Sequence, residues 1–416
     1  MGEPVPVVGT DTAPPPRGTP SKTTWTPDRL AGLSARITER IAATRAQPIS
    51  KIDLFLTEDC TLACDYCFVA RKTPSHRMSW DTARRAVEFL VMASGDLTGI
   101  ALHFMGGEPL LEFPLLARTT QYAARCSQEM GKAVQFAVTT NGTLLTEEII
   151  RFGRAFGFNY LLSLDGDQDT HDRHRRTHGG DGSWRRVVDR ALPLLRRHQG
   201  WIGTRMTVLP DTARDLCRGV QTLFALGVNQ FLIGPDYDAD WAPAELRALF
   251  AQMIAVARFY ADAIAAGAPL RIVEFESPLE DRSRRMRPMW GCDAGVSRVA
   301  VSTAGGLYPC ARFVRPFAGM PAFCMGTVDT GLARRDEWFR AVADARIARK
   351  RCLRCAHAAL CAGGCPASNI HRNGSAGKPV LAACVYTAAL RRALRIIYSV
   401  PAPLHSGTPA VDAHAR

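Results

Sequence analysis

From residue 51 onward the chain alternates between two hydrophobic patterns. Short runs dense in Val, Ile, Leu and Phe give way to longer stretches whose apolar residues recur every three or four positions. These two periods predict strands and helices in turn. Strands are expected at residues 51–56, 100–105, 133–139, 160–164, 203–209 and 230–233, and helices at 79–93, 111–130, 146–156, 183–197, 212–226 and 243–266. Six βα units in a row predict an α/β fold with a parallel sheet and right-handed crossovers, its apolar strands buried on both faces. A partial (β/α)6 barrel satisfies that pattern and places its chemistry in the loops after the strands. A lead-in helix is expected at 26–45, with Leu30, Leu33, Ile37 and Ile41 on one stripe.

Near residue 281 the pattern breaks, and an Arg-rich stretch leads into a cysteine-dense, loop-rich segment that a helix at 381–398 closes. At 416 residues the chain exceeds the size at which one core stops growing, so two units are expected. They are the partial barrel over 26–280 and the cysteine-rich unit over 281–400, between a disordered tail at 1–25 and a mobile one at 401–416. The first 22 residues are rich in Pro, Gly and Thr, with neither a basic start nor an apolar segment. No uncharged apolar run of membrane-spanning length is evident, so a cytoplasmic protein without a membrane role is expected. Thirteen cysteines in that reducing compartment point to metal rather than to disulfides. The net charge of +13 favours an acidic peptide segment or nucleic acid as partner; its bland alternative is a solvated basic face.

The first motif that carries chemistry follows the first strand directly: Cys60-Thr-Leu-Ala-Cys64-Asp-Tyr-Cys67. Three thiolates on one short loop can hold three irons of a [4Fe–4S] cube and leave the fourth open to a substrate. Zinc would want four protein ligands or a His pair at finger spacing, and no such pair is nearby.

CxxxCxxC with an aromatic before its last cysteine, at the end of the first strand of a βα array, resembles the radical S-adenosylmethionine (SAM) superfamily, whose partial barrel is TIM-like. The resemblance implies that the open iron takes the methionine amino and carboxylate groups of SAM. Reductive cleavage then releases a deoxyadenosyl radical that abstracts hydrogen. Later loops are similar to the family in the same order. Gly106, Gly107 and Glu108 match the Gly-Gly-Glu that receives the methionine ammonium, and Asn141 lies where the family approaches the ribose. Ser163 and Asp165 fall in a Ser-Leu-Asp-Gly match, and Arg175 ends a run resembling His-Asp-x-x-Arg. Ser163 and Arg175 are expected to hold the methionine carboxylate, the arginine through a bidentate fork.

A second array comprises Cys352, Cys355, Cys361 and Cys365, with Cys384 beyond it and Cys292 and Cys310 upstream. It resembles the SPASM extension of the superfamily, which implies two auxiliary [4Fe–4S] clusters. By position, Cys352, Cys355, Cys361 and Cys384 would ligate the outer cluster, and Cys292, Cys310 and Cys365 the inner one. The inner cluster's fourth iron is then open, or takes Asp293, Cys324 or a substrate thiol. A zinc ribbon is the structural alternative for the array. Cys126 and Cys217 lie in helical patterns among apolar residues and read as packing residues.

The extension implies a peptide or protein substrate. Anaerobic sulfatase maturases resemble the chain in size and in both arrays, but the aspartate base they carry is Ala311 here. The segment 310–314 looks closer to maturases that form thioether or carbon–carbon crosslinks in a ribosomally made precursor peptide. The implied partners are that peptide, a separate leader-binding protein and an electron donor of flavodoxin or ferredoxin type. Asp236, Glu274 and Glu276, just past late strands, are the candidate catalytic acids or bases. A zinc protein that binds nucleic acid would share the charge and the CxxC pairs, but it has no need of Gly-Gly-Glu after a second strand.

Overall fold

The computed structural model describes residues 47–69, 76–276, 292–314, 321–347, 352, 355–357, 361 and 363–399. The lead-in helix, both tails and the Arg-rich stretch lie outside them. The six anticipated strands are present to within two residues at each end: β1 Lys51–Thr57, β2 Gly99–Gly106, β3 Ala133–Thr140, β4 Asn159–Ser163, β5 Gly203–Val208 and β6 Gln230–Pro235. Each pairs in parallel with the next, as a TIM-like partial barrel requires. A short β7, Arg271–Ile272, adds to β6 in parallel.

At the other edge, β8 (Arg298–Val301) lies parallel to β1, and β9 (Gly306–Tyr308) and β10 (Gly326–Thr327) follow antiparallel. The cysteine-rich segment therefore continues the barrel's own sheet. Its short strands lack a hydrophobic run long enough to show as a period in sequence.

The helices are α1 Trp80–Ala93, α2 Phe113–Glu129, α3 Glu147–Ala155 and α4 Gln168–His174, followed by a composite α5. That element is α-helical over Trp184–Arg186, π over Val187–Ala191 and α-helical again over Leu192–His198. Pro193 supplies no N–H to the ladder where the turn widens. Then come α6 Leu216–Ala225, α7 Pro243–Ala265, α8 Arg335–Ile347, α9 Pro366–Asn373 and α10 Leu381–Tyr398. Side-chain caps start several of them: Ser79 accepts from Thr82 N, Thr146 from Ile149 N and Asp167 from Thr170 N. By length and composition α7 is apolar enough to cross a membrane, but Leu249, Met253, Val256 and Ala257 bury its stripe in the core, where it packs on α10.

The strands are buried on both faces as expected, β1 along its whole length, but the two faces differ in chemistry. Ile52, Leu54, Leu102, Phe104, Phe136, Val138, Leu162 and Ile233 face the helices in the core. The alternate positions hold Asp53, His103, Thr139, Ser163 and Arg205. Asp53 is fully buried and takes a bidentate fork from Arg298, Nε at 2.6 Å and Nη2 at 2.8 Å. His103 Nδ1 lies 2.7 Å from Asp53 Oδ1, and its Nε2 lies 2.8 Å from Thr139 Oγ1. Burial works against the Asp53 charge, but Arg298 and then His103 outweigh it and hold the carboxyl well below the usual range. This polar chain crosses β8, β1, β2 and β3, and it draws the segment containing Cys310 to the barrel.

Candidate active site

The loop after β2 runs hard against the chain that enters the first cysteine loop. Gly107 N donates to Thr57 O at 2.9 Å and Glu108 N to Asp59 O at 2.7 Å. A Cβ on Gly107 would stand 1.9 Å from Asp59 O, and one on Gly106, whose φ is +129°, 2.3 Å from Thr57 O. Only glycine allows that approach. Asp59 in turn accepts from Cys60 N at 2.8 Å through Oδ1.

Glu108 is fully buried. Its Oε1 accepts from Thr140 Oγ1 at 2.8 Å and Leu110 N at 3.1 Å, and its Oε2 from Asn141 N at 2.8 Å. The carboxylate expected on a methionine ammonium thus clasps the β2 and β3 loops together, and burial pushes it up to about 7 against those three donors. Asn141 extends the clasp, donating from Nδ2 to Thr61 Oγ1 at 2.9 Å and lying 3.6 Å from Cys60 Sγ.

On the far side of the loop, Tyr66 donates its hydroxyl to Asp165 Oδ2 at 2.5 Å. Arg175 binds the same carboxylate through Nε at 2.5 Å and Nη2 at 3.2 Å, its guanidinium 5.2 Å from the Tyr66 ring centroid. Thr207 N donates to Asp165 Oδ1 at 2.8 Å. Burial raises Asp165, but Arg175 more than offsets it, so the carboxyl sits below its ordinary range. The fork expected to face the methionine carboxylate is therefore engaged with Asp165. Ser163 stands in register with Arg205 on the inner face of β4.

Three groups that sequence reasoning passed over also bind this loop. His178 Nε2 lies 2.8 Å from Cys60 O, and His174 bridges Asp65 at 2.9 Å and Asp211 at 3.0 Å. The third is Asp59. Only its place directly before Cys60, as a cap-forming residue type, offered a sequence signal.

None of the thirteen cysteines forms a disulfide. Leu62 N points at Cys60 Sγ, His357 N at Cys355 Sγ and Gly363 N at Cys361 Sγ, each at 3.4 Å. Such turns aim amide dipoles at sulfur and suit a thiolate. Among the described residues no three metal-ligating side chains converge tightly enough for a single ion. A cube asks for less, because each thiolate takes a different iron. By donor chemistry and turn geometry, Cys60, Cys64 and Cys67 fit one.

The later cysteines fall into two groups. Burial, then Asp293, then Cys365 raises the Cys292 thiol well above its ordinary value, with Cys310 adding to it. Burial and Cys365 push Cys310 up to about 12. Cys384 is raised by burial, then by Cys361, Cys352 and Cys355. Cys324 instead donates to Gly326 O at 3.2 Å.

A small apolar cluster separate from the main core joins the two cysteine regions. Phe55, Val69, Ala300, Ala311 and Val314 are buried in it, with Cys67, Phe68, Met105 and Tyr308 packed against them. The candidate acids lie elsewhere. Asp236 accepts from Asp238 N at 3.0 Å, and burial raises its carboxyl. Glu274 accepts from Ile233 N at 3.0 Å, and Glu276 is taken by Arg271 at 2.8 Å and Tyr260 at 3.2 Å.

Residues 54–223 match the family model described as Radical SAM superfamily. The serine-type anaerobic sulfatase-maturating enzyme of Bacteroides thetaiotaomicron is 29% identical over 145 residues, 33% of this chain and 34% of that one. The chain thus spans about a third of this relative's length. The structure of native anSMEcpe with bound AdoMet and Cp18Cys peptide matches with a TM-score of 0.70 at 18% identity, over 84% of this chain and 99% of that chain. Streptococcus suis SuiB bound to precursor peptide SuiA matches at 0.58 and 14%, over 87% of this chain and 82% of that one. At these identities the two structures report the fold alone. The family implies a [4Fe–4S] cluster and SAM, which the first cysteine loop fits. Its CxxxCxxC loop after β1, the glycine pair after β2 and the barrel topology agree with the family match: residues 54–223 carry a radical SAM domain.

Proposed function

We propose that the protein is a peptide maturase that abstracts hydrogen from a ribosomally made precursor peptide and joins two of its residues through a thioether or carbon–carbon bond. When bound, the cluster and SAM supply a deoxyadenosyl radical. The chain's own residues position and shield. Cys60, Cys64 and Cys67 would hold the cluster, Glu108 and Asn141 set the loops beside it, and the buried Tyr66–Asp165–Arg175 group excludes water from its far side.

The observation that carries the reading is the apolar wall at Ala311. Oxidising a Cys or Ser side chain to an aldehyde calls for a base beside it. Ala311 instead packs with Phe55, Val69, Ala300 and Val314, a cluster without a carboxylate. Such a wall suits a hydrocarbon group held for hydrogen abstraction.

The two cysteine groupings support outer and inner auxiliary clusters as in SPASM domains. An inner cluster one thiolate short would offer an iron to a substrate thiol and lower its pKa, as sulfur–carbon bond formation requires. The reading also includes a separate leader-binding protein, a flavodoxin- or ferredoxin-type donor and a reducing cytoplasm. The sequence match to the serine-type anaerobic sulfatase-maturating enzyme of Bacteroides thetaiotaomicron favours the second reading, formylglycine formation in a sulfatase.

Anaerobic co-expression with small Cys-, Ser- or aromatic-containing peptides encoded beside the gene, followed by tandem mass spectrometry, separates the two. Crosslinking predicts loss of two hydrogens per site and a fragment spanning both residues. Formylglycine in a neighbouring sulfatase, with the peptides unchanged, would replace crosslinking by maturation.

A further inference from the structure

The positive charge of the chain is concentrated in one stretch. Residues 345–411 contain ten Lys and Arg and neither Asp nor Glu, which leaves +3 of the net +13 for all the rest. That stretch carries the outer cysteine array, and α10 displays part of it. Leu381, Cys384, Arg392 and Arg395 are exposed at spacings of three, eight and three, hence on one helical face. The opposite face, with Ala382, Ala383, Tyr386, Ala389 and Ala393, is buried. Tyr386 also donates to Ile233 O on β6, so the exposed face points away from the barrel interior.

Arg391 Nη1 donates to Ala356 O, which seats the Cys355 turn beside the helix. Cys355 and Cys384 are both exposed. Lys378, just before α10, is exposed as well, and Leu381 is 64% exposed. Arg372 is taken by Asp240. Lys378, Arg392 and Arg395 form no ion pair among the described residues.

We infer that this face of α10, with Lys378 and the Cys355 turn, is the docking surface for a small acidic protein that delivers single electrons. The inference rests on the proposed function in one respect: its chemistry draws electrons from another protein. Electron transfer needs close approach, and the outer cysteines are where a redox centre would lie nearest solvent. Cationic side chains around them would steer and hold an acidic carrier, with Leu381 as an apolar contact at the start of the helix. A peptide substrate has to reach Ala311 inside the barrel, which this outward face does not do.

The test uses enzyme purified without oxygen and a purified acidic flavodoxin, with affinity measured by calorimetry. Charge reversal by Arg392→Glu and Arg395→Glu is expected to weaken binding about tenfold or more, as raising the salt to ~0.3 M should in the wild type. Flavodoxin-driven SAM cleavage should fall alongside, while dithionite-driven cleavage stays unchanged. Reversing Arg151 and Arg154 on α3 should change neither. Wild-type affinity in the α10 variant would overturn the inference. So would a variant that keeps flavodoxin but loses an acidic peptide or DNA. Dithionite-driven peptide modification by the wild type reports separately on the proposed function.

Discussion

Burial decides what the acidic side chains of the barrel do. Glu274 looks like a chemical group in sequence, just past a late strand, but its Oε1 accepts from Ile233 N where β7 has ended, while Tyr386 satisfies Ile233 O. The carboxylate stands in for a missing strand, and its Oε2 is buried with no hydrogen-bond partner. Burial is the main cause that pushes it up to about 7 from an ordinary 4.5. The folded form thus holds a proton that the unfolded chain loses near pH 4.5. The associated stability is fully present below that pH and disappears as pH rises through 7. Glu274→Gln cannot titrate, so its fall in unfolding free energy between pH 5 and 8 should be smaller than wild type's by about 2 kcal/mol. Urea unfolding at the two pH values measures this. Peptide modification should persist in the variant, and its loss without loss of fold would return Glu274 to the chemistry.

At the scale of elements, the β2 loop and the first cysteine loop act as one piece because glycine lets them touch. In Gly107→Ala the new methyl meets the Asp59 backbone, which cannot rotate away as a side chain can. The segment from Thr57 to Asp59 must shift and take Cys60 with it. The barrel should still fold, yet dithionite-driven SAM cleavage should drop roughly a hundredfold, the usual consequence of misplacing a reactive group by about 1 Å. Iron per chain, measured beside circular dichroism, tests whether the loop or the fold has failed. Full cleavage activity would mean that the contact is slack. This device was half legible in sequence: the glycine pair was visible after a strand, but its close partner lies 48 residues earlier in the chain. The six main strands were legible because Ile52, Leu54, Phe104 and Val138 mark an apolar face that tertiary packing uses. Asp53 and His103 alternate with them and passed as exceptions within apolar runs, since only the sheet brings Arg298 and Thr139 to their side. The helix α4 was missed for a related reason. Its residues are almost all polar, and it is held by the Asp167 cap and by loop contacts rather than by an apolar stripe.

Across the whole molecule, the cysteine-rich segment is attached to the barrel at several places, and ion pairs fasten two of them that lie far apart in the sheet. One is β8 on β1, fastened by Arg298 and Asp53. The other is the loop after β6, where Asp238 pairs with Arg312 and lies 3.3 Å from His371, and Asp240 pairs with Arg372. Arg312 directly follows Ala311, and His371 and Arg372 sit on α9, which begins after Cys365. The strap therefore spans Cys310 and Cys365, two of the three cysteines assigned to the inner cluster. Spacing alone could number those cysteines; it could not show that a barrel loop holds them in place. Asp238→Ala should leave the half-buried Arg312 without its anion and cost about 2 kcal/mol in urea unfolding. Arg312→Ala should cost a similar amount, and the double variant clearly less than the sum, because each single change already breaks the same contact. Additive losses would show that the two charges stand side by side without coupling. If coupling is found, Asp238→Ala should also retain less iron than wild type, since the strap holds the segments that carry Cys310 and Cys365.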